Sequence, residues 1–398
     1  MTWLSFSGVP ITLYQLWEVL SIEKGSRCID DEFRLRSPQD ILALGNSLIT
    51  TCPDGYVMLA HLSVRDYLLS SRTKNNPETA KFSLNPETCH MELARDCLTY
   101  LSFADLSSGP ANTQEEYLSR LKQLPLLQYA SKYWFYHARN AEPDEELEDL
   151  TLAFFAPETR ENFMSWVQVF NATSPFKWNV FPKHATALYY AASLGLDQVV
   201  ASLLRGMAPG EVDAPGSRFG GTAIHAATIR GHLGIIKQLI SAVADPGKAD
   251  FNQVTPLHSA ASQNSLGAIR ILLDHGAPRE ARDGMDFKTP AEWARFGGHL
   301  DAAEMIQEHP GSVNEAQGHL QSCSRMGGND EPRRQRDTPK VEVWKPTAGY
   351  FPDYYERRSG LDTSQIISIT VGEETANFDD SFTPVRTEGE ADELVPVW

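Results

Sequence analysis

The sequence predicts a mainly α protein, built around a solenoid of repeated helix pairs in its second half. Three observations carry this: a pattern returning every 33–36 residues between Thr186 and Thr289, a threonine opening each period, and loss of all apolar spacing past His309.

Four segments align: TALYYAASLGLDQVVASLL from Thr186, TAIHAATIRGHLGIIKQLI from Thr222, TPLHSAASQNSLGAIRILLDHGA from Thr255 and TPAEWARFGGHLDAAEMI from Thr289. Thr255 suits an N-cap and Pro256 the first helical position, where its missing N–H costs nothing; Thr289 and Pro290 repeat the pair. The Ala pairs 191–192, 226–227 and 260–261 are small enough for successive inner helices to approach closely. Gly195, Gly231 and Gly298, with Asn264 in the third copy, stand where the first helix of each pair must end left-handed.

The period and the TPLHSAA core resemble the ankyrin repeat, a turn followed by two antiparallel helices. Tyr189 replaces the signature histidine in the first copy, and Glu292 with Trp293 alters the last, as expected of end units that lack one neighbour. His225 and His258 recur at one place, where the ring can bond backbone at the helix start.

Ahead of the repeats, Thr12 with Gln15 forms a capping box before Leu13, Leu16, Trp17 and Leu20. Ser37-Pro38-Gln39-Asp40 starts a second helix leading into Ile41, Leu44 and Leu48. PDGY is a turn, YVMLA a strand, and Ser63 with Asp66 caps a third helix. Helix, helix, strand, helix outlines a small winged-helix-like domain. WLSFSGVPITLYQLWEVLSI and LAHLSVRDYLLSSR are similar to the segment that follows the nucleotide-binding domain of fungal NACHT proteins, NOD-like STAND NTPases that often carry ankyrin repeats. MELARDCLTYLSF, PLLQYASKYWFYHAR and ENFMSWVQVFN resemble the helical spacer of such proteins. The expected order is a winged-helix-like domain at 1–75 following a missing NACHT, a helical spacer at 76–180, about four ankyrin repeats at 181–310 and a disordered acidic tail at 311–398 with a short strand at Gln365–Val371.

The resemblance implies a winged-helix histidine that touches nucleotide phosphate, and His61 is the position that corresponds. No GxxxxGK[ST] loop accompanies it, and Gly247-Lys248 lies between two repeats, followed by alanine. His61 is therefore expected to pack beside a helix start with one ring nitrogen bonded to backbone. The remaining chemistry is equally bare. No catalytic residue, metal site or cofactor is expected: Cys28, Cys52, Cys89, Cys97 and Cys323 form no CxxC pair, and GxSxG and HExxH motifs are absent. Cys89 and Cys97 suit core thiols, and EPDEELEDL a solvated helix face. Tyr129, Tyr133, Trp134, Phe135 and Tyr136 suit core packing, with Leu127, Ala130, Trp134 and Ala138 on one face.

A net charge of −17 opposes phosphate backbones and anionic lipid, so neither nucleic acid nor membrane is an expected partner. Reduced thiols and the lack of a signal peptide point to a cytoplasmic, or nuclear, protein; RRQR at Arg333–Arg336 bears on the second. The function left is protein recognition through the concave face of the stack. Its candidate residues are Arg218, Phe219, Gln253, Asp286, Phe287 and Lys288 on the turns and Arg230, Gln263 and Arg295 on the helices. The sequence thus favours a non-catalytic scaffold, a truncated NOD-like receptor in fungal signalling or immunity. The alternatives are the regulatory end of a NACHT-type NTPase and a transcriptional regulator with an acidic tail.

Overall fold

In a computed structural model, the described residues are 1–310, apart from 31, 33, 175, 176 and 209, together with 369–371 and 374–376. They fall into two compact units, one holding the residues up to Pro310 and the other the last two strands. In that second unit β4 (Ile369–Val371) pairs antiparallel with β5 (Glu374–Ala376), Thr370 opposite Thr375. The expected strand is present in its described part. The disordered tail expected at 311–398 otherwise lies outside the described residues.

The first unit opens with α1 (Thr2–Phe6), β1 (Ile11–Thr12), α2 (Leu13–Val19) and α3 (Asp40–Gly45), then β2 (Ile49–Thr51), β3 (Tyr56–Leu59), α4 (Leu62–Leu69) and α5 (Ser71–Asn75). The Thr12–Gln15 capping box forms as expected. Where one strand was foreseen there are three, in the antiparallel order β1-β3-β2. Two and three residues are too short to show a period of 2, which hid β1 and β2. The second helix is shorter than expected: it ends at Gly45, so Ile41 is buried while Leu44 and Leu48 are exposed.

His61 needs a correction too. It, and not Ser63, caps α4: Nδ1 accepts from the Ser63 N–H at 3.0 Å and lies 2.8 Å from the Ser63 hydroxyl. The bond to backbone is there, but the residue is exposed instead of packed, because α4 itself buries no residue fully.

Five helices follow: α6 (Pro86–Leu101), α7 (Gln114–Gln123), α8 (Leu127–Asn140), α9 (Glu145–Phe155) and α10 (Arg160–Asn171). They bury Cys89, Cys97, Tyr129, Trp134, Phe154 and Trp166, so of the aromatic run of α8 Tyr129 and Trp134 are core, while Tyr133, Phe135 and Tyr136 are half-buried. The first segment is tied onto them by polar bonds. Trp3 Nε1 donates to Asp96 Oδ2 at 2.9 Å, and the Gly8 N–H donates to the Tyr129 hydroxyl, which meets His137 Nε2 at 2.8 Å. His137 also meets His90, Nδ1 to Nδ1, at 2.8 Å. Burial, with His90 alongside, pulls the His137 imidazole down to about 3, so it is neutral at ordinary pH.

Four helix pairs complete the unit: α11 (Ala187–Ser193) with α12 (Asp197–Gly206), α13 (Ala223–Arg230) with α14 (Leu233–Ser241), α15 (Pro256–Ser262) with α16 (Leu266–Asp274), and α17 (Pro290–Phe296) with α18 (Leu300–Glu308). Thr186, Thr222, Thr255 and Thr289 are the N-caps of the inner helices, and proline opens the last two. Gly195, Gly231, Asn264 and Gly298 are all left-handed, as their types require. The Ala pairs are buried, and Ile235, Ile236, Ile269 and Leu272 of the outer helices fill the space behind them.

Candidate functional site

The turns ahead of α13, α15 and α17 are shaped by one acceptor side chain apiece. Ser217 Oγ accepts from the N–H groups of Phe219 and Gly221 at 3.3 and 2.7 Å. Asp250 Oδ1 accepts from Asn252 and Val254 at 2.8 and 2.9 Å. Asp283 Oδ1 accepts from Met285, Asp286 and Phe287, while its Oδ2 accepts from the Trp293 indole at 2.6 Å. Burial pushes the Asp250 carboxyl up to about 6. Burial raises Asp283 as well, but the Trp293 indole and the turn N–H groups outweigh it and hold that carboxyl below the usual range.

Successive turns are laced together by backbone. The Phe251 N–H donates to Phe219 O at 2.9 Å, and the Gly284 N–H to Asn252 O at 2.7 Å. Histidines add a second lacing. His225 Nδ1 accepts from the Thr222 N–H at 3.1 Å, which leaves Nε2 to carry the proton and donate to Val254 O, in the next repeat, at 3.0 Å. His258 does the same, from Thr255 to Lys288 O. The helix-start role foreseen for these rings is half of what they do. Burial lowers both imidazoles, His225 to about 4. His232 and His299 point the other way, to Ser193 O and Ser262 O of the preceding repeat.

On this frame the sequence candidates do not form one uniform surface. Gln253, Gln263, Asp286, Phe287, Arg218 and Arg295 are exposed, whereas Phe219, Arg230 and Lys288 are half-buried. The Arg218 guanidinium covers the Phe219 ring at 4.5 Å; Lys288 Nζ lies 2.8 Å from Asp286 Oδ2 and 4.3 Å from the Phe296 ring centre. Burial lowers the Arg230 guanidinium, with Tyr189 acting against it. Phe287 is 70% exposed. It also sits at φ +56°, as Gln253 does at +58°, in the turn position that Gly220 occupies at +79°. A bulky residue there costs about 1–2 kcal/mol of backbone strain.

Sequence reasoning missed Phe251, 66% exposed, whose ring lies against Gly220 where a Cβ would not fit. One aromatic in each of three successive turns was the signal available. It also missed Phe296, exposed at the end of α17. Among the described residues no cluster of three metal-binding side chains occurs, and no helix is long and apolar enough to cross a membrane.

Stacked helix pairs with laced turns and histidine bonds define an ankyrin array, and the sequence agrees. The chain matches the family described as "Ankyrin repeats (3 copies)" over residues 188–283 and 224–317. It is 26% identical over 267 residues to "Azaphilone pigments biosynthesis cluster protein L" of Monascus ruber, covering 62% of this chain and 54% of that protein. It is 36% identical over 117 residues to "Ankyrin repeat and SOCS box protein 16" of Mus musculus, covering 27% and 25%, and 34% identical over 88 residues to "Palmitoyltransferase Hip14" of Drosophila melanogaster, covering 22% and 14%. The chain thus spans about half the length of the first of these relatives and a quarter or less of the others. Residues 188–398 are 211 of the 398, so a match over 62% of the chain takes in residues ahead of the repeats.

Proposed function

We propose that this chain is a non-catalytic scaffold that captures a protein partner on the turn tips and concave face of its ankyrin repeats. Phe287 carries the reading. A large apolar ring 70% exposed, on a backbone conformation that glycine would adopt without strain, has little to pack against within the stack; such strain is kept where a surface has work to do. Arg218, Phe219, Arg230, Gln253, Gln263, Asp286, Lys288 and Arg295 belong to the same face, with Phe251 added. The test is affinity capture from the cells of origin with the full chain and its Phe251→Asp/Phe287→Asp variant. Loss of a stoichiometric partner with unchanged far-UV circular dichroism is expected; equal capture refutes this face.

In this reading residues 1–75 are a winged-helix-like domain, 76–180 a spacer and 181–310 the repeats, in a protein of the cytoplasm related to fungal NOD-like receptors. The β1-β3-β2 order, with α2 and α3 between β1 and β2, supports the first assignment. One observation favours a second reading, the regulatory part of a NACHT-type NTPase. Leu44, Leu48, Met58 and Leu62 are all exposed apolar side chains of this domain, as residues awaiting a neighbouring domain would be. Mapping the 5′ end of the transcript separates the two. An upstream frame encoding a phosphate-binding loop supports the NTPase, with His61 facing its nucleotide; initiation at Met1 supports the scaffold alone.

A further inference from the structure

Where α9 and α10 meet the first repeat, a cavity of about 350 Å³ opens to solvent. Phe155, Phe163 and Ala187 supply apolar wall, and Arg160, His184 and Ala185 line it beside them. Its volume is at the lower end of the roughly 300–1,000 Å³ common to ligand sites and suits one large side chain. Arg160 Nη1 donates to Ala185 O at 2.6 Å, and its guanidinium stands 5.4 Å from the Phe163 ring centre. One of five N–H donors is used in that bond. Lys183, exposed, lies 3.6 Å over the Phe181 ring. His184 Nε2 meets Ser217 O, next to Arg218, at 3.1 Å, and its ring is 6.3 Å from Phe251. His184 thus joins the cavity lining to Phe251 in the row of turn aromatics.

None of the ion pairs among the described residues includes Arg160, Lys183 or Arg218. Glu158 and Glu161, both exposed, flank Arg160 in sequence, and neither forms an ion pair with it. Arg160 in the lining, Lys183 next to the lining residue His184 and Arg218 next to Ser217, whose carbonyl His184 meets, are three cations without an ion pair in a chain of net charge −17.

We propose that this cavity is the anchor of the scaffold's binding face: it takes an aromatic or branched apolar side chain from an extended partner segment whose flanking aspartates or glutamates meet Arg160, Lys183 and Arg218. This rests on the reading of the chain as a protein-binding scaffold and names the chemistry of what it binds. Guanidinium groups favour carboxylates through paired N–H···O bonds, and an open cavity joined by His184 to an exposed turn ring suits an extended chain better than a compact small molecule.

The test is selection of a random dodecapeptide phage library on the full chain, with the enriched peptides then titrated against wild type, Ala187→Phe, Arg160→Gln and Phe287→Asp. Ala187 opens α11 and is half-buried, so the phenyl group fills the cavity. Enriched peptides are expected to carry one large apolar residue between acidic ones. They should bind at least tenfold more weakly to Ala187→Phe, several-fold more weakly to Arg160→Gln, and more weakly as salt rises from about 0.1 to 1 M. Should Ala187→Phe fail to fold by circular dichroism, Arg160→Gln decides. Peptides without acidic flanks, or unaffected by both cavity variants, overturn the anchor. Peptides lost only with Phe287→Asp overturn the anchor and keep the scaffold reading, whereas no enrichment at all overturns both.

Discussion

Helices α6–α10 and helices α11–α18 belong to one unit and are cemented by opposite means. The first group packs large rings: Trp166 touches Trp134, Phe154, Phe163 and Phe170 and donates its indole N–H to Ser131 O at 3.0 Å. The repeats bring small and branched residues together and rely on lacing between neighbours. Large rings from helices far apart in sequence make α6–α10 a single cooperative body. The array is a line of near-neighbour couplings, in which damage should stay local.

The largest expected effect lies in the ring core. Trp166→Ala should cost about 3–5 kcal/mol, since a cavity of indole size cannot collapse around rigid neighbours. Because Trp166 also contacts Tyr190 of the first repeat at 5.0 Å between ring centres, urea unfolding should lose cooperativity in both halves. A loss below about 1 kcal/mol would contradict the contrast drawn between them.

Acid comes next. His225, held near 4 in the fold against 6.5 unfolded, contributes stability above pH 6.5 that is lost as pH falls toward 4, because the unfolded chain takes the proton first. The loss is about 3 kcal/mol, and His137, near 3, adds to it over a lower range. Thermal melts from pH 7 to 4 should fall steeply in wild type and less in His225→Gln.

A smaller and sharper change comes from His258→Ala, which strands the Thr255 N–H and Lys288 O and should cost about 1–3 kcal/mol. Amide exchange should quicken in the third and fourth repeats and stay unchanged in α6–α10. Spread of the effect into α6–α10 would break the near-neighbour picture. Smallest of all, Phe287→Gly should raise stability by about 1 kcal/mol by relieving the left-handed phenylalanine, while partner capture weakens. A destabilised glycine variant would mean that the ring packs usefully.

What the sequence disclosed follows the same division. The caps at Thr255 and Thr289 and the left-handed stops at Gly195, Gly231, Asn264 and Gly298 are local chemistry, complete within four or five residues, and were legible; Thr186 and Thr222 cap their helices in the same way. The carbonyls that receive His225 and His258 lie 29 and 30 residues onward, so only half of each histidine's role could be inferred. The cavity beside Arg160 joins Phe155 to Ala187 across two helices and a loop, and no periodicity encodes such a meeting. Exposure misled in both directions. Phe219 stands among the turn candidates yet is half-buried, while His61 was expected to be packed and is open to solvent.

The histidine bonds bear on how such a chain changes over generations. Each links a repeat to the one after it: the second brings a donor for the third, and the third brings both a carbonyl for the second and a donor for the fourth. Duplicating or excising one whole period rejoins a donor to an equivalent acceptor, and the gene can lengthen or shorten here without inventing a new junction. The series stops at Glu292, whose carboxylate accepts from the Thr289 N–H at 2.7 Å but has no proton to hand onward. A fifth unit added beyond the fourth would need a histidine restored at that one codon.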